Sequence, residues 1–254
     1  ETINEYMERD YVVPKDFEDY AYISQLLQAC GMKIAIEAHR RAKPYCMGTL
    51  YWQFNDCWPV TSWSSLDYYG NWKAFHYQAK RSFENLLFSI EEGNDSYRVY
   101  IVNDDLKQYS GELVIDLIDF NGTKLWNKKI IFIASENSSK IHFEIPKKDF
   151  LAFNLKQAVL SVSFPPLEQI YTRHYFFKPK DLQITKPNIQ IKIINEVTIE
   201  ISSDVLAKDV FLSSENEVFF EDNYFDLLPN EKRIIKFSKP VQNIKVKSLF
   251  DTLK

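Results

Sequence analysis

The sequence has few cysteines and no long apolar run. Its three cysteines, Cys30, Cys46 and Cys57, lie in the first quarter of the 254 residues, and their spacings fit no zinc or redox motif. We therefore expect free thiols that serve as small core hydrophobes. No apolar run reaches the roughly 18 residues that a membrane span needs, which predicts a soluble protein that does not bind a membrane.

An excess of positive charge is also lacking. The 31 Lys and Arg are outnumbered by 35 Asp and Glu, which gives a net charge of −4. Nucleic acids and anionic membranes bind clustered basic surfaces, so neither is expected as a partner. The histidines, at positions 39, 76, 142 and 174, are scattered, and no pair has the i, i+4 spacing of helical metal ligands. We predict no metal site and no cofactor.

Residues 1–88 combine helical patterns with one apolar stretch. Asp16 precedes an acidic first turn and Pro44 follows a basic last turn, which predicts a helix of about 25 residues between them. The stretch YCMGTLYWQF at 45–54 is almost wholly apolar, which predicts a strand buried on both faces. Apolar residues recur at helical spacing over 71–88, which predicts a second helix.

A single buried strand with two helices cannot stand alone, because its edges and faces would expose costly backbone groups. We therefore expect the strand to complete a larger sheet, such as a (β/α)8 barrel, and the chain to be the C-terminal portion of a longer protein. The predicted class is α+β: residues 1–88 form the end of the barrel, with its last strand and flanking helices.

From Ser96 onward the apolar period changes to two, which is typical of strands. Six strand patterns, with a hairpin signal at Asn121-Gly122, predict an immunoglobulin-like β-sandwich over 89–180. A linker rich in lysine and proline follows. Five further strand patterns predict a second, smaller immunoglobulin-like sandwich over 181–254.

The stretch LYWQFNDCWPVTSW at 50–63 carries the candidate site. At the end of a barrel strand, such residues would line an active site. Aromatic faces can stack on the C–H faces of a sugar, and amides and carboxylates can bind its hydroxyls. Trp63, Trp72 and Trp126 are instead expected in the core. The predicted substrate-binding residues are Trp52, Asn55, Asp56 and Trp58.

The segment PYCMGTLYWQFNDCWPVTSWSSLDYYGNWKAFHYQAKRSF resembles the end of the catalytic barrel in β-mannosidases of glycoside hydrolase family 2, and EDNYFDLLPNEKRIIKF resembles part of their terminal immunoglobulin-like domain. The resemblance implies a retaining exo-hydrolase that removes terminal β-D-mannose by means of two glutamates. Those glutamates would precede this chain, so we assign no catalytic residue here and expect the chain alone to be inactive. It also implies a periplasmic, secreted or lysosomal location.

For the candidate site, the resemblance implies that Trp52 forms a platform beneath the sugar and that its peptide bond to Gln53 is cis. It further implies a β-mannoside or manno-oligosaccharide as the substrate of the full-length enzyme, and the N-terminal domains of the same protein as partners. With those domains absent, the apolar faces of residues 1–88 are expected to pack on the first sandwich, to self-associate or to stay partly mobile.

Two other functions stay open from the residues alone. The chain could belong to another family 2 enzyme, such as a β-galactosidase or β-glucuronidase. Alternatively, it could be a non-catalytic carbohydrate-binding or adhesion module, in which case residues 1–88 would be a self-contained helical appendage.

Overall fold

The structure is a computed structural model that describes residues 2–253. Its helices are α1 (Thr2–Asp10), α2 (Phe17–Arg41) and α3 (Ala74–Ser82). The predicted long helix is confirmed as α2, which has 25 residues. The Asp16 side chain caps it by accepting hydrogen bonds from the backbone amides of Glu18 and Asp19. Helix α1 was not predicted.

The predicted second helix is too long. Helix α3 ends at Ser82, and residues from Leu86 onward form a strand that pairs with a later strand at Asn103. The apolar spacing of Leu86 and Phe88 fits a helix as well as a buried strand, since short apolar runs are ambiguous. Backbone pairing of residues 86–92 with residues 97–103 makes this segment a strand instead of a helix.

The strand predicted over 45–54 is wrong for this chain. Residues 46–51 adopt no regular structure, and Leu50 is 100% exposed. A strand needs neighbours that accept and donate its backbone hydrogen bonds, and this segment has none alongside it. The same exposure overturns two related expectations: Trp63 is 61% exposed, and the free thiols of Cys30 and Cys57 are exposed instead of filling a core.

The middle of the chain is a two-layer β-sandwich, and all six predicted strands are present. Its strands are β1 (Leu86–Glu92), β2 (Ser96–Asn103), β3 (Tyr109–Asp119), β4 (Lys124–Ala134), β5 (Ser138–Pro146), β6 (Ala158–Ser163) and β7 (Tyr171–Tyr175). One sheet has the order β1-β2-β5 and the other β4-β3-β6-β7, with neighbours antiparallel. Phe88, Ile101, Leu113 and Phe132 fill the space between them.

The hairpin predicted at Asn121-Gly122 joins β3 to β4. The amide of Asp119 donates to the carbonyl of Thr123 at 2.9 Å, and the Gly122 amide donates to Asp119 at 3.0 Å. Gly122 has a φ of +98°, a region that suits glycine.

The C-terminal sandwich contains the strands predicted after residue 188 and one that was missed. They are β8 (Ile189–Asn195), β9 (Thr198–Ser203), β10 (Ala207–Ser213), β11 (Phe225–Leu227), β12 (Lys232–Lys236) and β13 (Lys245–Lys247). The sheets have the orders β12-β9-β8 and β11-β10-β13. Strand β11 was not predicted; it lies within the segment EDNYFDLLPNEKRIIKF, where Tyr224, Phe225 and Leu227 are buried.

The helices pack mainly on the C-terminal sandwich. Ile23 of α2 and Phe75 and Tyr77 of α3 share one buried cluster with Tyr224 and Leu249. None of the helices between residues 2 and 253 combines the length and apolar character that crossing a bilayer requires. The helical segment is therefore not a separate globule, because its core is built jointly with the terminal sandwich.

Candidate functional site

The four predicted site residues lie in the irregular segment between α2 and α3, residues 45–73, which we name the aromatic loop. Trp52 is 77% and Trp58 is 64% exposed. Exposed rings on this scale are uncommon on a closed protein surface and indicate a place where something binds. The exposed aromatic side chains of the loop are Tyr45, Trp52, Phe54, Trp58, Trp63, Tyr68 and Tyr69.

Asp56 lies beneath this surface and is almost completely buried. Its Oδ1 accepts hydrogen bonds from Ser62 Oγ at 2.6 Å and from Gln53 Nε2 at 3.4 Å. Its Oδ2 accepts from Ser64 Oγ at 2.6 Å and pairs with Lys73 Nζ at 3.2 Å. The carboxylate therefore joins the middle of the loop to Lys73 at its C-terminal end.

The two serine hydroxyls and the Lys73 ammonium lower the pKa of Asp56 to about 2, because each interaction favours the charged carboxylate. Asp56 is therefore ionised at any pH near neutral. Since both of its oxygens already accept two contacts each within the loop, the geometry suits a residue that orders the loop better than one that binds a ligand.

A second network fixes the backbone next to Trp52. The amide of Ser65 donates to the carbonyl of Gln53 at 3.1 Å, and the amide of Leu66 donates to Phe54 at 2.9 Å. Ser65 Oγ donates to the same Phe54 carbonyl at 2.9 Å. The Trp52–Gln53 peptide bond is cis, as the resemblance implied. The Trp52 ring thus projects from a backbone that is hydrogen-bonded on its C-terminal side.

His76, on α3, supports this network. Its Nδ1 lies 2.9 Å from Ser65 Oγ, and its ring packs edge-on against Phe54 and Trp72. Burial lowers the pKa of His76, because it disfavours the imidazolium. Lys73, His76 and Ser65 were not predicted as site residues. The run of serines beside a lone aspartate was the one available signal for them.

The structure brings Asn55 and Asp56 into contact but leaves Asn55 at the surface. Asn55 Nδ2 donates to the carbonyl of Asp56 at 3.3 Å, and Asn55 forms a β-bridge with Leu66. The remaining amide oxygen of Asn55 lies on an exposed side chain. Asn55 is therefore bonded to the loop while its amide oxygen stays exposed, whereas both oxygens of Asp56 accept contacts from within the loop.

Two other carboxylates have local structural partners. Glu37, in α2, pairs with Lys33 at 3.1 Å and accepts from Ser89 Oγ at 2.6 Å. Asp67 accepts from backbone amides within its own turn. Among residues 2–253, no group of histidine, cysteine and acidic side chains could hold a metal ion.

A cleft of about 840 Å³ lies away from the loop, between α3 and the two sandwiches. Its charged side chains already bind one another: Arg81 pairs with Asp222 at 2.5 Å, and Arg233 pairs with Asp222 at 3.0 Å and Glu231 at 3.2 Å. This cleft is therefore better explained as a polar junction between domains than as a ligand site.

Comparisons with known proteins agree with this architecture. Residues 95–181 match a family model described as a mannosidase Ig/CBM-like domain, and residues 184–252 match one described as an Ig-fold domain of mannosidases. The β-mannosidase of Mus musculus is 27% identical over 93% of the chain, and that of Capra hircus is 43% identical over 53% of it.

A solved structure extends the likeness to the whole fold. The crystal structure of a β-D-mannosidase from Dictyoglomus thermophilum is 29% identical, covers 97% of the chain and gives a TM-score of 0.87. An exo-chitosanase from Amycolatopsis orientalis, at 13% identity and a TM-score of 0.73, shares the fold. The chain spans 29% of the murine relative and 31% of the Dictyoglomus protein.

The fold and the comparisons together define a chain in which a helical segment precedes two immunoglobulin-like domains of the mannosidase type. More narrowly, the chain belongs to the β-mannosidases of glycoside hydrolase family 2, of which it forms a C-terminal portion.

Proposed function

We propose that the full-length protein is a retaining exo-β-mannosidase that hydrolyses terminal β-D-mannose, and that the aromatic loop supplies one wall of its sugar pocket. The observation that carries this proposal is the Trp52 ring, which is 77% exposed above a backbone fixed by Ser65 and Leu66. A flat apolar surface held in place and flanked by amide groups matches what a sugar requires. The β-mannosidases among the relatives support the choice of sugar.

We further propose that residues 1–88 close a (β/α)8 barrel, followed by sandwich domains over 89–180 and 181–254. The support is the apolar surface of the aromatic loop, where Met47 is 61% and Leu50 is 100% exposed. Such exposure is expected of residues that the rest of the barrel would bury. Neighbouring strands would pair with residues 45–54 and convert that segment into the barrel strand.

Within this proposal the site residues have different roles. Trp52 is the platform for the sugar, and Asn55 and Trp58 form the wall beside it. Asp56 is a positioning residue, because its oxygens are occupied by Ser62, Ser64, Gln53 and Lys73. The substrate is a β-mannoside or manno-oligosaccharide, and the partners are the remaining N-terminal domains of the same protein.

The acid/base and the nucleophile are proposed to be glutamates of those N-terminal domains, at the short separation that a retaining mechanism requires. The chain of 254 residues is then inactive by itself. Its uncovered apolar loop also gives a reason for it to self-associate when the rest of the protein is absent.

The test is a kinetic assay of the full-length protein on aryl β-glycosides, including the mannoside, the galactoside and the glucuronide. We expect the mannoside to have the highest kcat/KM. Trp52→Ala should lower that value by about 10- to 100-fold, since losing a stacked apolar contact costs about 1.5–3 kcal/mol. Trp52→Phe, which keeps a ring, is the matched control and should retain more activity. Faster turnover of another glycoside, or full activity of Trp52→Ala, would contradict the proposal.

A binding module is the second candidate, and the description of the matched middle domain as CBM-like favours testing it. Three of the aromatic residues of that domain, Tyr97, Phe132 and Phe150, are buried, which leaves these three no face for stacking on a sugar. Calorimetry of the chain with mannose and manno-oligosaccharides distinguishes the two: micromolar binding would favour the module over the enzyme part.

A further inference from the structure

A loop of the C-terminal sandwich, residues 219–224, contacts α3, and we name this loop the terminal clamp. Asn223 fixes its shape: Nδ2 donates to the carbonyl of Leu212 at 2.9 Å, and Oδ1 accepts from the Leu212 amide at 2.8 Å. Asn223 Oδ1 also accepts from the amide of Tyr224, whose φ is +51°. Since Leu212 belongs to the core of the terminal sandwich, the clamp is part of that domain's rigid structure.

The clamp holds α3 along its length. Tyr77 donates its hydroxyl hydrogen to the carbonyl of Phe220 at 3.1 Å. Arg81 pairs with the Asp222 carboxylate at 2.5 Å and donates to the carbonyl of Tyr224 at 2.9 Å. These side chains are partly shielded from water, so their contacts are stronger than those of freely exposed pairs.

The other end of α3 holds the aromatic loop. Lys73, directly before the helix, binds Asp56 at 3.2 Å and Ser64 Oγ at 2.7 Å, and His76 in its first turn binds Ser65. The clamp also meets the loop without α3, since the rings of Phe219 and Trp72 lie 4.8 Å apart. One short helix is therefore fixed by the terminal sandwich at one side and fixes the loop at the other.

We propose that the terminal sandwich positions the substrate-binding loop, with Asp222 as a positioning residue that acts through Arg81 and α3. Asp222 suits this role because it bridges two elements: its Oδ1 accepts from Arg81 of α3 and its Oδ2 from Arg233 of β12, at 3.0 Å. This inference rests on the proposed function for its catalytic consequence, but its structural part does not.

The structural part is tested on the chain itself by amide hydrogen exchange. Asp222→Ala should speed exchange at Ser65, Leu66 and Lys73, which donate the backbone bonds of the aromatic loop, by about tenfold or more. Amides of β9 and β12 should keep their wild-type rates, which shows that the terminal sandwich is still folded. Asp222→Asn, which retains an acceptor for Arg81, should restore most of the protection.

Glu200→Gln is the matched control, because it removes an ion pair with Lys232 on the same sandwich. It should leave the loop amides unchanged. If Asp222→Ala also exposes β9, Tyr77→Phe serves as the second variant, since it deletes only the hydroxyl that reaches Phe220. Wild-type exchange of the loop in a folded Asp222→Ala or Tyr77→Phe chain would overturn the proposal, as would equal acceleration by Glu200→Gln.

The catalytic part is tested on the full-length protein with an aryl β-mannoside. Asp222→Ala should lower kcat/KM by about tenfold, as expected for a displaced binding group remote from the chemistry, and Asp222→Asn should recover most of it. An unchanged kcat/KM in Asp222→Ala would overturn the catalytic consequence. If the wild-type enzyme does not hydrolyse mannosides, the proposed function fails while the exchange result still decides whether the clamp orders the loop.

Discussion

The middle sandwich and the aromatic loop are both rich in aromatic residues, yet they use them in opposite ways. Phe132 in the sandwich is 1% exposed, whereas Trp52 in the loop is 77% exposed. The strands of the sandwich find their hydrogen-bonding neighbours within the chain, whereas residues 46–51 of the loop adopt no regular structure. Burial of an apolar segment therefore depends on backbone hydrogen-bonding partners as much as on its composition.

The loop is nevertheless ordered, by polar contacts instead of an apolar core. The Asp56 carboxylate binds the side chains of Ser62, Ser64 and Lys73. The backbone amide of Ser65 donates a hydrogen bond to the carbonyl of Gln53, next to Trp52. A satisfied polar network can hold one backbone conformation while apolar rings stay in water. The loop therefore has a defined conformation in this chain although its rings are exposed.

The largest expected effect is in the sandwich core. Phe132→Ala should lower the free energy of unfolding of the middle sandwich by about 3–5 kcal/mol, because it removes a buried ring and leaves a cavity. Urea titration of the chain, followed by a probe within β3 and β4, measures the loss. A loss below about 1 kcal/mol would mean that Phe132 does not pack in a well-ordered core between the two sheets.

An intermediate effect is expected at the polar network. The pKa of Asp56 is about 2, below its ordinary value of 3.8. Because the folded pKa is depressed, the contribution of the carboxylate to loop order is complete above pH 3.8 and is lost as pH falls through about 2. Titration of the Asp56 carboxyl carbon by NMR, with loop amide signals recorded in parallel, checks this window.

Two variants sharpen that measurement. Ser62→Ala removes the largest cause of the shift, and Lys73→Met removes the paired charge, so each should move the pKa of Asp56 upward towards 3.8. Lys129→Met, which breaks an exposed ion pair of the middle sandwich, is the control and should leave it unchanged. An Asp56 pKa that stays near 3.8 in the wild type would refute the network.

The smallest effect is expected at the exposed rings. Trp58→Ala should change the free energy of unfolding of the chain by no more than about 0.5 kcal/mol, because the ring already lies largely in water. The same urea titration provides the measurement. If Trp58→Ala were as costly as Phe132→Ala, the aromatic loop would be a core in its own right, and the contrast between the two regions would disappear.

The parts of the fold that follow local rules could be predicted. The Asp16 cap fixes the start of α2, and Asn121-Gly122 fixes one hairpin. Strands β2 to β7 follow from alternation, since one face of each sheet is buried. The end of α3 and the presence of β1 could not be predicted, because Leu86 and Leu87 are apolar in either structure and the pairing with β2 decides between them.

For the candidate site, the sequence identified the residues but not what each one touches. Trp52 and Asp56 lie in the same short motif. The Trp52 ring projects into solvent, whereas the Asp56 carboxylate is enclosed by Ser62, Ser64 and Lys73. Lys73 is 17 residues away from Asp56, and the clamp at Asp222 lies 141 residues from Arg81. No local pattern encodes contacts over such separations.

The long helix, the two runs of strands and the aromatic stretch are evident from the amino-acid sequence, and the resemblance of two segments indicates the family. These depend on periodicity, capping and short motifs, which act between residues close in the chain. Contacts between distant segments, in contrast, set the irregular structure of residues 46–51 in this chain, the enclosure of Asp56 and the contact between the terminal sandwich and α3. The reason is physical: hydrogen-bond partners and buried surfaces are set by which distant segments meet, and only the fold brings them together.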